Sequence, residues 1–510
     1  MTISGIAGWH HHTWAKTYSS RPALYFQPET IEQVQELVRS AKEQHQTVTV
    51  VGACHSPSMI TMTTGWLVNL DKLNRILDIK PNQGFTDVTV EAGIRLYELN
   101  EILADRELAL QSLGSISEQS IAGVISTGTH GSSAYHGLIS EQIVRLTLVN
   151  SDGNLISCSD MENHRLFRAA LLSLGKIGII VKAVVRVVPA FNIESYQEVV
   201  SFDKFLTDVW PTFFTSAEFH RVWWYPYTGK CILWRANRTQ LEKTKPPYSF
   251  YGTKFGRWVY QALLWVTVAV APSLTPWVER WLFAHQFGLV NTYGKKPLKA
   301  VYRSDQGINM DCLFSQFVNE WALPLNNGVQ VLRELEQVIA KRNFYVHAPF
   351  EIRVSNTTLP KSVPATRKGA TVAGVPNVGP IHGNISRPYL DSSARLPYSP
   401  PSEVTYDNLT LNLNATLYRP FDLDVETSRW FTEFERICAA AGGKPHWAKN
   451  FLGMRETENF AKDHDMRGIA PQIAEWYGRD LETWKEIRHE VDPTNLFVNN
   501  PEWLHINGLD

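Results

Sequence analysis

The sequence predicts an α+β fold built from two successive units. From about residue 20 to residue 190, helices with regular apolar spacing alternate with β-branched strands. Beyond about residue 190, the pattern changes to aromatic strands. The length of 510 residues exceeds what one hydrophobic core accommodates, so two or three domains are expected.

The first unit opens with a helix and a strand. Apolar residues recur at helical spacing over Thr30–Gln46, and the β-branched run Val48–Val51 follows directly. The pair Asp152-Gly153 is typical of a hairpin turn. The other predicted elements are a helix at Leu96–Arg106 and strands at Thr86–Ala92, Val144–Asn150 and Ile177–Pro189.

The second unit combines aromatic strands with one long irregular stretch. Strands are predicted at Val222–Tyr225, Asn343–Val354 and Leu409–Tyr418. The Pro/Gly/Ser-rich stretch Thr358–Val404 has little periodicity, which favours a surface loop, an insertion or a lid near a site. A final segment, Gly442–Asp510, mixes a turn with two helix-like runs.

One segment is apolar enough to raise the question of a membrane. Residues 258–278 carry no charge, and Trp258, Trp265 and Trp277 punctuate the run. A helix in the core, an interfacial membrane anchor and a wall of a substrate channel are all open interpretations. A spanning helix is least favoured, because it needs about 20 predominantly apolar residues and Pro272 interrupts this segment.

Composition points to an ordered protein that binds a small molecule. The formal net charge of −1 gives no global field that would attract nucleic acid. Five widely spaced cysteines without a C-x-x-C pair argue against a disulfide framework or a thiolate metal site. No secretory signal is evident in Met1–Lys16, which favours an intracellular setting. The run His10–His12 is interpreted as a solvated tail, so no metal site is predicted.

A histidine in a tight turn is the first candidate for chemistry. The turn, Val51–Ser58, follows the strand Val48–Val51. Gly52 and Ala53 let the backbone approach a bulky group, and consecutive turn amides can bind an anion. His55 then faces the bound group, unless it only forms a local hydrogen bond at the end of the strand.

A second motif, Ile121–Ser133, is dense in glycine and hydroxyl residues. Such a segment suits a phosphate or a ribityl chain. It lacks the Gly-Lys-Ser ending of a Walker loop and the G-x-G-x-x-G spacing, which disfavours a nucleoside triphosphate or a nicotinamide cofactor. A simple glycine-rich loop is the alternative.

A third candidate is the pair Glu351 and Arg353. The pair lies in a predicted strand, where side chains two residues apart point to the same face. It is either a surface ion pair or part of a site. No Ser-His-Asp or Cys-His arrangement is evident in the sequence.

Taken in order, these motifs resemble one family. Nearly the whole chain, with Thr358–Val404 as the exception, is similar to the sugar-1,4-lactone oxidases, which act on D-arabinono-, L-gulono- or L-galactono-1,4-lactone. These enzymes are FAD flavoproteins of the vanillyl-alcohol oxidase/para-cresol methylhydroxylase (PCMH) type. The segments that carry the resemblance are Trp14–Tyr18, Gly52–Pro57, Asn69–Lys72, Leu110–Ser117, Gly128–Ser132, Tyr135–Gly137, Lys176–Ile180 and Pro445–Lys449.

The resemblance implies three parts. Residues 1–190 would form a two-part PCMH-type FAD-binding domain. Residues 191–435 would form an α+β substrate (cap) domain built on an antiparallel sheet, which includes the apolar segment 258–278 and the long loop 358–404. Residues 436–510 would complete the active site and pack back on the flavin domain.

By this resemblance the cofactor is FAD, bound covalently through its 8α carbon to His55. Such a link raises the flavin potential and prevents loss of the cofactor. Cys54 departs from the glycine usual in the family, and at positive φ a cysteine would cost about 1 kcal/mol or more. The other implied cofactor contacts are Gly52, Ala53, Cys54, Ser56, Pro57, Ser117, Ala122, Gly123, Thr127, Gly128, Thr129, His130, Gly131, Gly178 and Ile180.

The resemblance also implies catalytic roles. Glu351 would orient the sugar, while Arg353 would polarise the C2 oxygen. Lys449 would lie near flavin N1 and C2=O, where a cation stabilises the reduced anionic flavin. His446 is a candidate for proton transfer.

The residue before Ser115 distinguishes oxidases, which use oxygen as the electron acceptor, from dehydrogenases. Lactone dehydrogenases resemble this segment but place alanine there, which narrows the path to flavin C4a. Gly114 therefore favours an oxidase, with Ser115 hydrogen-bonded to substrate. The predicted reaction is hydride transfer from C2 of an aldono-1,4-lactone to flavin N5, reoxidation by O2 to give H2O2, and an ascorbate-type product.

Two alternatives are open. One is an alditol oxidase that acts on C1 of an open-chain sugar alcohol with much the same residues. The other is a flavin-free, membrane-associated binding protein on the same scaffold, which Cys54 and the apolar segment favour. The resemblance also implies peripheral association with a mitochondrial or endoplasmic reticulum membrane.

Overall fold

Two large antiparallel sheets and a small parallel sheet organise the chain. The computed structural model describes residues 3–310, 312–341, 344–356, 381–384, 386–394, 404–451 and 469–510. Helices cover the sheets and bury their apolar side chains against them. The predicted α+β class is confirmed.

The parallel sheet opens the first unit. Its strands are ordered Leu24–Phe26, Trp66–Asn69 and Val48–Val51, and the helix Ile31–Glu43 packs against them. The Thr30 side chain caps this helix by accepting a hydrogen bond from a first-turn amide. The predicted helix and strand are confirmed, with the helix ending three residues before the predicted limit.

A six-stranded antiparallel sheet follows. Five of its strands run in the order Leu155–Ser159, Ile143–Val149, Ile179–Pro189, Phe85–Glu91 and Ile76–Asn82, and the short strand Leu108–Ala109 also pairs with Ile179–Pro189. Asp152-Gly153 lies in the turn between the first two strands of this order, as predicted. The predicted helix at Leu96–Arg106 is observed at Leu96–Ala104.

An eight-stranded sheet, antiparallel throughout as predicted, dominates the second unit. Its strands are ordered Leu298–Arg303, Asn192–Ser201, Lys230–Thr239, Phe219–Tyr225, Phe350–Asn356, Leu409–Tyr418, Gln316–Pro324 and Lys444–Pro445. The predicted strand Leu409–Tyr418 is confirmed at both ends. The strand predicted from Asn343 begins only at Phe350, and Asn343 itself lies outside the described residues.

The two faces of the eight-stranded sheet differ. One face buries Ile352, Leu411 and Leu413 against the helices Gly328–Lys341 and Ser428–Ala440. Because side chains alternate along a strand, the residues between these point to the opposite face. That face carries polar residues, and it lines the site described below.

Ten further α-helices are described. They are Ile121–Ser126, His164–Ala170, Phe202–Lys204, Trp210–Phe213, Lys254–Ala269, Thr275–Phe287, Ser304–Ile308, Ala470–Tyr477, Arg479–Val491 and Pro501–Ile506. A two-stranded ribbon pairs His11–His12 with Ser19–Ser20.

The C-terminal segment contacts the first unit. Val48 N donates to Leu496 O at 2.7 Å, and Ser151 N donates to Val491 O at 3.3 Å. The chain after the eight-stranded sheet thus returns to the sheets that precede it. The division at residues 190 and 435 stays a prediction.

The apolar segment forms a helical hairpin. The helices Lys254–Ala269 and Thr275–Phe287 are separated by a turn at Pro272–Leu274. Tyr260 and Leu264 face the interior, while several tryptophans are exposed. Among the described residues, no helix has both the length and the apolar character required to cross a bilayer.

Part of the long irregular stretch is buried. Ile381 and Leu390 are almost inaccessible, and the Gln111 side chain donates to His382 O at 2.7 Å. The described residues 381–384 and 386–394 form a loop, as predicted, but the expected surface position is wrong for them, because side chains from elsewhere satisfy their backbone. Residues 357–380, 385 and 395–403 lie outside the described residues.

Candidate functional site

Two clefts meet at the predicted histidine turn. The larger, of about 1000 Å³, lies between this turn and the polar face of the eight-stranded sheet. The second, of about 910 Å³, lies at the end of the strand Val48–Val51. His55, Ser56, Gln119 and Thr127 line both clefts, which therefore form one elongated space. Such a space suits a ligand with two distinct parts.

Close backbone packing shapes the second cleft. A Cβ atom on Gly52 would come within 2.5 Å of Ser120 Oγ at the start of a short helix. Gly178 has φ +80°, and an added Cβ would lie 2.7 Å from Val149 O. Neither position has room for a β-carbon. The cleft wall therefore presents main-chain atoms to a bound group at these two positions.

Lys176 lines the second cleft and brings an amino group to it, a role that was not predicted from the sequence. Its Nζ donates to Asn499 Oδ1 in the C-terminal segment. Burial lowers the pKa of Lys176 to about 7; Arg488 adds to this effect and Asp492 opposes it. A bound anion would favour the charged form again, so the cleft can present a cation to an anionic ligand.

His55 lies at the junction as a neutral imidazole. Its ring stacks on Trp14, with 5.0 Å between the ring centroids. Burial lowers the pKa of His55 to about 4, and the charges of Lys449 and Arg95 act in the same direction. Its Nδ1 is buried and has no hydrogen-bond partner among the described residues. An uncharged ring nitrogen with a free lone pair is a competent nucleophile.

Cys54 adopts the strained backbone conformation that the sequence analysis considered. Its φ of 57° lies in the left-handed region. A β-carbon there costs about 1–2 kcal/mol relative to glycine. Trp14 N donates to Cys54 O at 2.8 Å, which holds the turn in this conformation.

The register of the eight-stranded sheet places Glu351 in a row of side chains. Trp223 is paired with Glu351, Glu351 with Asn414, and Asn414 with Glu320. Directly paired residues of antiparallel strands share a face. The row therefore crosses four strands, and all four residues line the larger cleft.

Cations and carboxylates alternate along this face. Arg353 Nη2 donates to Glu320 Oε1 at 2.5 Å, and Arg353 Nε lies 3.3 Å from Glu351 Oε2. Glu351 Oε1 lies 3.8 Å from Arg221 Nε, and Lys449 Nζ lies 3.7 Å from Glu320 Oε2. The three cations outnumber the two carboxylates.

Glu320 also contacts the glycine-rich segment. His130 Nε2 lies 2.9 Å from Glu320 Oε1, and His130 Nδ1 lies 2.9 Å from Gly131 O. Burial alone would raise the pKa of Glu320, but Arg353 and His130 outweigh it and hold that pKa well below its usual range. The carboxylate is therefore ionised at neutral pH.

The turn of residues 445–450 connects the sheet to the histidine turn. His446 N donates to Glu320 O at 2.9 Å, and Asn450 Nδ2 donates to Pro57 O at 2.8 Å. Lys449 N donates to His446 O at 3.0 Å within the turn. These contacts place Lys449 beside both parts of the site.

His446 is suited to donate a hydrogen bond. Burial lowers its pKa to about 3, although Glu320 opposes this shift. Its Nδ1 accepts from Ala448 N at 3.2 Å, so in the neutral ring the proton lies on Nε2. This arrangement gives the larger cleft a neutral donor.

Several buried polar atoms at the larger cleft have no hydrogen-bond partner among the described residues. A buried polar atom without any partner costs about 1–3 kcal/mol. Three of the atoms here have an ion-pair contact but still lack a hydrogen bond. Their concentration at one cleft indicates that a ligand supplies the partners. They are His55 Nδ1, Ser115 Oγ, Glu320 Oε2, Glu351 Oε1 and Arg353 Nε.

The structure brings most of the predicted site residues to the two clefts. The larger is lined by Glu351, Arg353, Lys449, His446, Ser115, Thr129 and His130, and the second by Gly52, Ala53, Cys54, Ala122, Gly123, Gly178 and Ile180. The predicted residues that line neither cleft are Gly114, Pro57, Ser117, Gly128 and Gly131. The role of each stays a prediction.

Several residues that line the two clefts were not predicted from the sequence. Asn414 and Thr416 lie in a strand whose polar residues occupy alternate positions from Thr410 onward, a period-2 signal that could have identified them. Glu320 has no such signal, because Asn319 beside it breaks the alternation within Gln316–Pro324. Gln119 and Lys176 carry no comparable local signal.

Comparison with known proteins identifies the family. A family model described as D-arabinono-1,4-lactone oxidase matches residues 183–507, and one for an FAD binding domain matches residues 22–159. The D-arabinono-1,4-lactone oxidases of Candida glabrata, Eremothecium gossypii and Saccharomyces cerevisiae are 50%, 52% and 48% identical to this chain. The alignments cover 100%, 100% and 97% of this chain and 98%, 97% and 96% of the relatives. Two of these alignments therefore extend across Thr358–Val404, which the resemblance had left out.

Solved structures support the fold. Cholesterol oxidase from Brevibacterium sterolicum matches with a TM-score of 0.75 and 16% identity, over 99% of this chain and 97% of that one. A solvent-stable cholesterol oxidase matches with a TM-score of 0.73 and 18% identity, over 99% and 98% of the two chains. At such identities the likeness concerns the fold alone. Together with the matched FAD binding domain, it bears out the predicted fold class and the cofactor FAD.

Replacing Cys54 with glycine is expected to give a more stable protein than replacing it with alanine. Relief of the left-handed conformation outweighs the larger entropy of an unfolded glycine, so Cys54→Gly should exceed Cys54→Ala by about 0.5–1 kcal/mol in the free energy of unfolding. Urea denaturation of both variants measures this difference. Cys54→Ala keeps the β-carbon and serves as the control. A glycine variant no more stable than the alanine variant would contradict the argument.

Proposed function

Because this chain belongs to the D-arabinono-1,4-lactone oxidase family, we propose that it oxidises an aldono-1,4-lactone at C2. The candidate substrates are lactones of the D-arabinono-, L-gulono- and L-galactono-1,4 type. Bound FAD would supply, at its N5, the acceptor for the hydride from C2–H, and the C2 hydroxyl proton would pass to a base or to solvent. Molecular oxygen is the final acceptor and forms hydrogen peroxide, while the 2-keto lactone tautomerises to an ascorbate-type enediol.

The unpaired polar atoms of the larger cleft carry this proposal. Arg353 Nε can donate to the C2 oxygen, and Glu351 Oε1 can accept from a sugar hydroxyl. Ser115 Oγ offers a further contact for the substrate. Negative charge that develops on the C2 oxygen is stabilised by the guanidinium, whose interactions are strong in a buried site.

The second cleft and the junction fit FAD. When bound, FAD supplies a two-electron acceptor. Main-chain walls near Gly52 and Gly178, together with Lys176, suit the pyrophosphate and nucleotide part. The unpaired His55 Nδ1 marks the junction where the flavin would be held, and we assign His55 as the covalent attachment site. Trp14 keeps the imidazole in one orientation.

The turn of residues 445–450 completes the proposed site. Lys449, which the turn places beside His55 and Glu320, would stabilise negative charge on the reduced cofactor. The neutral His446 would donate a hydrogen bond to the substrate or the cofactor and would not act as a base. Gly114 would leave a path for oxygen, since an added Cβ, 2.8 Å from Thr129 Cγ2, would displace a side chain that lines the larger cleft.

The helical hairpin supports a proposed peripheral contact with a membrane. Trp258, Trp265 and Trp277 are 59%, 41% and 54% exposed, and Phe255 is 71% exposed. Tryptophans of this kind favour the interface between lipid and water. Since the inner residues of the hairpin pack in the core, insertion would be limited to its outer face.

The reaction is tested by measuring peroxide formation with a panel of lactones and alditols. Purified protein is expected to respond to an aldono-1,4-lactone, and Arg353→Met should lower kcat/KM by about 100- to 1000-fold because it removes a donor to the C2 oxygen. Arg145→Met, which alters an exposed arginine paired with Glu162, is the control. A response to alditols alone would establish the alternative substrate class. No response to any substrate would refute an oxidase.

The covalent link is tested by acid precipitation of the purified protein. Wild-type precipitate is expected to stay yellow, whereas His55→Ala precipitate should be colourless because no nucleophile replaces the imidazole. His12→Ala changes an exposed histidine outside both clefts and should keep the colour. Undiminished covalent flavin in the His55 variant would disprove the attachment site.

The membrane contact is tested by flotation with phospholipid vesicles. The double variant Trp258→Ser/Trp277→Ser is expected to lose most of its vesicle binding, because it removes the exposed aromatic side chains of the hairpin. Leu77→Ser/Met161→Ser removes exposed apolar residues elsewhere and should bind as the wild type does. Equal flotation of the two double variants would contradict the assignment.

A further inference from the structure

One buried carboxylate, Glu320, joins parts of the site that come from different segments. Its Oε1 accepts from Arg353 Nη2 at 2.5 Å and from His130 Nε2 at 2.9 Å, and its Oε2 lies 3.7 Å from Lys449 Nζ. Arg353 belongs to the proposed substrate side, whereas Lys449 belongs to the proposed cofactor side. Glu320 therefore lies between the two functions of the cleft.

The surroundings of Glu320 make its charge effective. The side chain is 1% exposed, so water screens it poorly. Oε2 has no hydrogen-bond partner among the described residues, although Lys449 is at ion-pair distance. Unit charges in a protein interior interact several times more strongly than in bulk water. Removal of this carboxylate would leave Lys449 without its carboxylate partner and Arg353 paired with Glu351 alone.

We propose that Glu320 is a positioning residue that acts through Arg353 and Lys449 and whose negative charge limits the positive potential at the bound flavin. This inference rests on the proposed function, because it requires FAD in the cleft. Without Glu320, Arg353 and Lys449 would repel each other. The uncompensated positive charge would then favour any anion that adds to the flavin.

Glu351 serves a different purpose in the same row. It lies between Arg221 and Arg353, with the neutral Asn414 separating it from Glu320. Its Oε1 lies 3.8 Å from Arg221 Nε but has no hydrogen-bond partner among the described residues, which leaves it available to a substrate hydroxyl. Glu320, by contrast, already accepts two hydrogen bonds on Oε1 and contacts Lys449 through Oε2. The two carboxylates are thus distinguishable by mutation.

A second buried carboxylate offers a matched control. Glu218 Oε1 accepts from His136 Nε2 at 3.0 Å and from Arg238 Nη2 at 2.8 Å. Glu218 is fully buried, as Glu320 is, but it lines neither cleft. Glu218→Gln therefore reproduces the structural effect of neutralising a carboxylate held by a histidine and an arginine.

Sulfite titration of the purified flavoprotein tests the inference, because sulfite adds as an anion to flavin N5 and bleaches the visible absorption. Glu320→Gln is expected to bind sulfite about tenfold more tightly than wild type, which corresponds to 1.4 kcal/mol. Glu320→Asp, which keeps the charge, and Glu218→Gln should stay within about twofold of wild type, the usual scatter for uncoupled sites. Lys449→Gln should weaken sulfite binding, and Glu320→Gln/Lys449→Gln should return towards the wild-type value.

The titration separates failure of this inference from failure of the proposed function. Absence of FAD from the wild-type protein, read from its absorption before sulfite is added, would refute the function. With FAD present, an unchanged sulfite affinity in Glu320→Gln would overturn the role of Glu320, and so would equal tightening in Glu218→Gln. If Glu320→Gln loses its flavin, the double variant should regain it, since one charge of each sign is then removed. A double variant that also lacks flavin would overturn the inference.

Discussion

Two hydrogen-bond partners and one ion-pair partner from separate segments meet on the carboxylate of Glu320, and the geometry of the site depends on these contacts. His130 comes from the glycine-rich segment, Arg353 from the eight-stranded sheet, and Lys449 from the turn that follows the last strand. A buried charge that loses its partner is destabilising by about 3–5 kcal/mol. Each of the three segments therefore keeps its position only when the other two are present. The site forms as the protein folds.

The histidine turn that contains His55 also depends on contacts with distant segments. Asn450 reaches from the turn beside Lys449 to Pro57 O, two residues beyond the proposed attachment histidine. Trp14 stacks on His55 and also donates its backbone N–H to Cys54 O, so the turn keeps a backbone conformation that is unfavourable for cysteine. A strained backbone conformation persists where the surrounding contacts hold the loop in it. The departure of Cys54 from the family glycine is thus compatible with a well-formed turn.

Local patterns predicted much of the fold. The helix Ile31–Glu43 and the strand Leu409–Tyr418 follow from spacing alone, and the shared face of Glu351 and Arg353 follows from strand alternation. Glu320 could not be predicted in the same way, because its partners lie 190 and 33 residues away in the sequence. The buried position of residues 381–384 and 386–394 was missed for a related reason, since Gln111 and other distant side chains supply their hydrogen bonds.

By itself the sequence determined several of the helices and strands, the histidine turn after Val48–Val51 and the shared face of Glu351 and Arg353, whereas the glycine-rich segment Ile121–Ser133 begins as a helix. These features depend on backbone preferences and on periods of 3.6 or 2 residues, which act over a few neighbours. Tertiary structure alone decided which segments share a cleft: the register that aligns Glu351, Asn414 and Glu320, and the turn that brings Lys449 beside Glu320. Burial then decided the charge states, since the field at each group depends on residues that are distant along the chain.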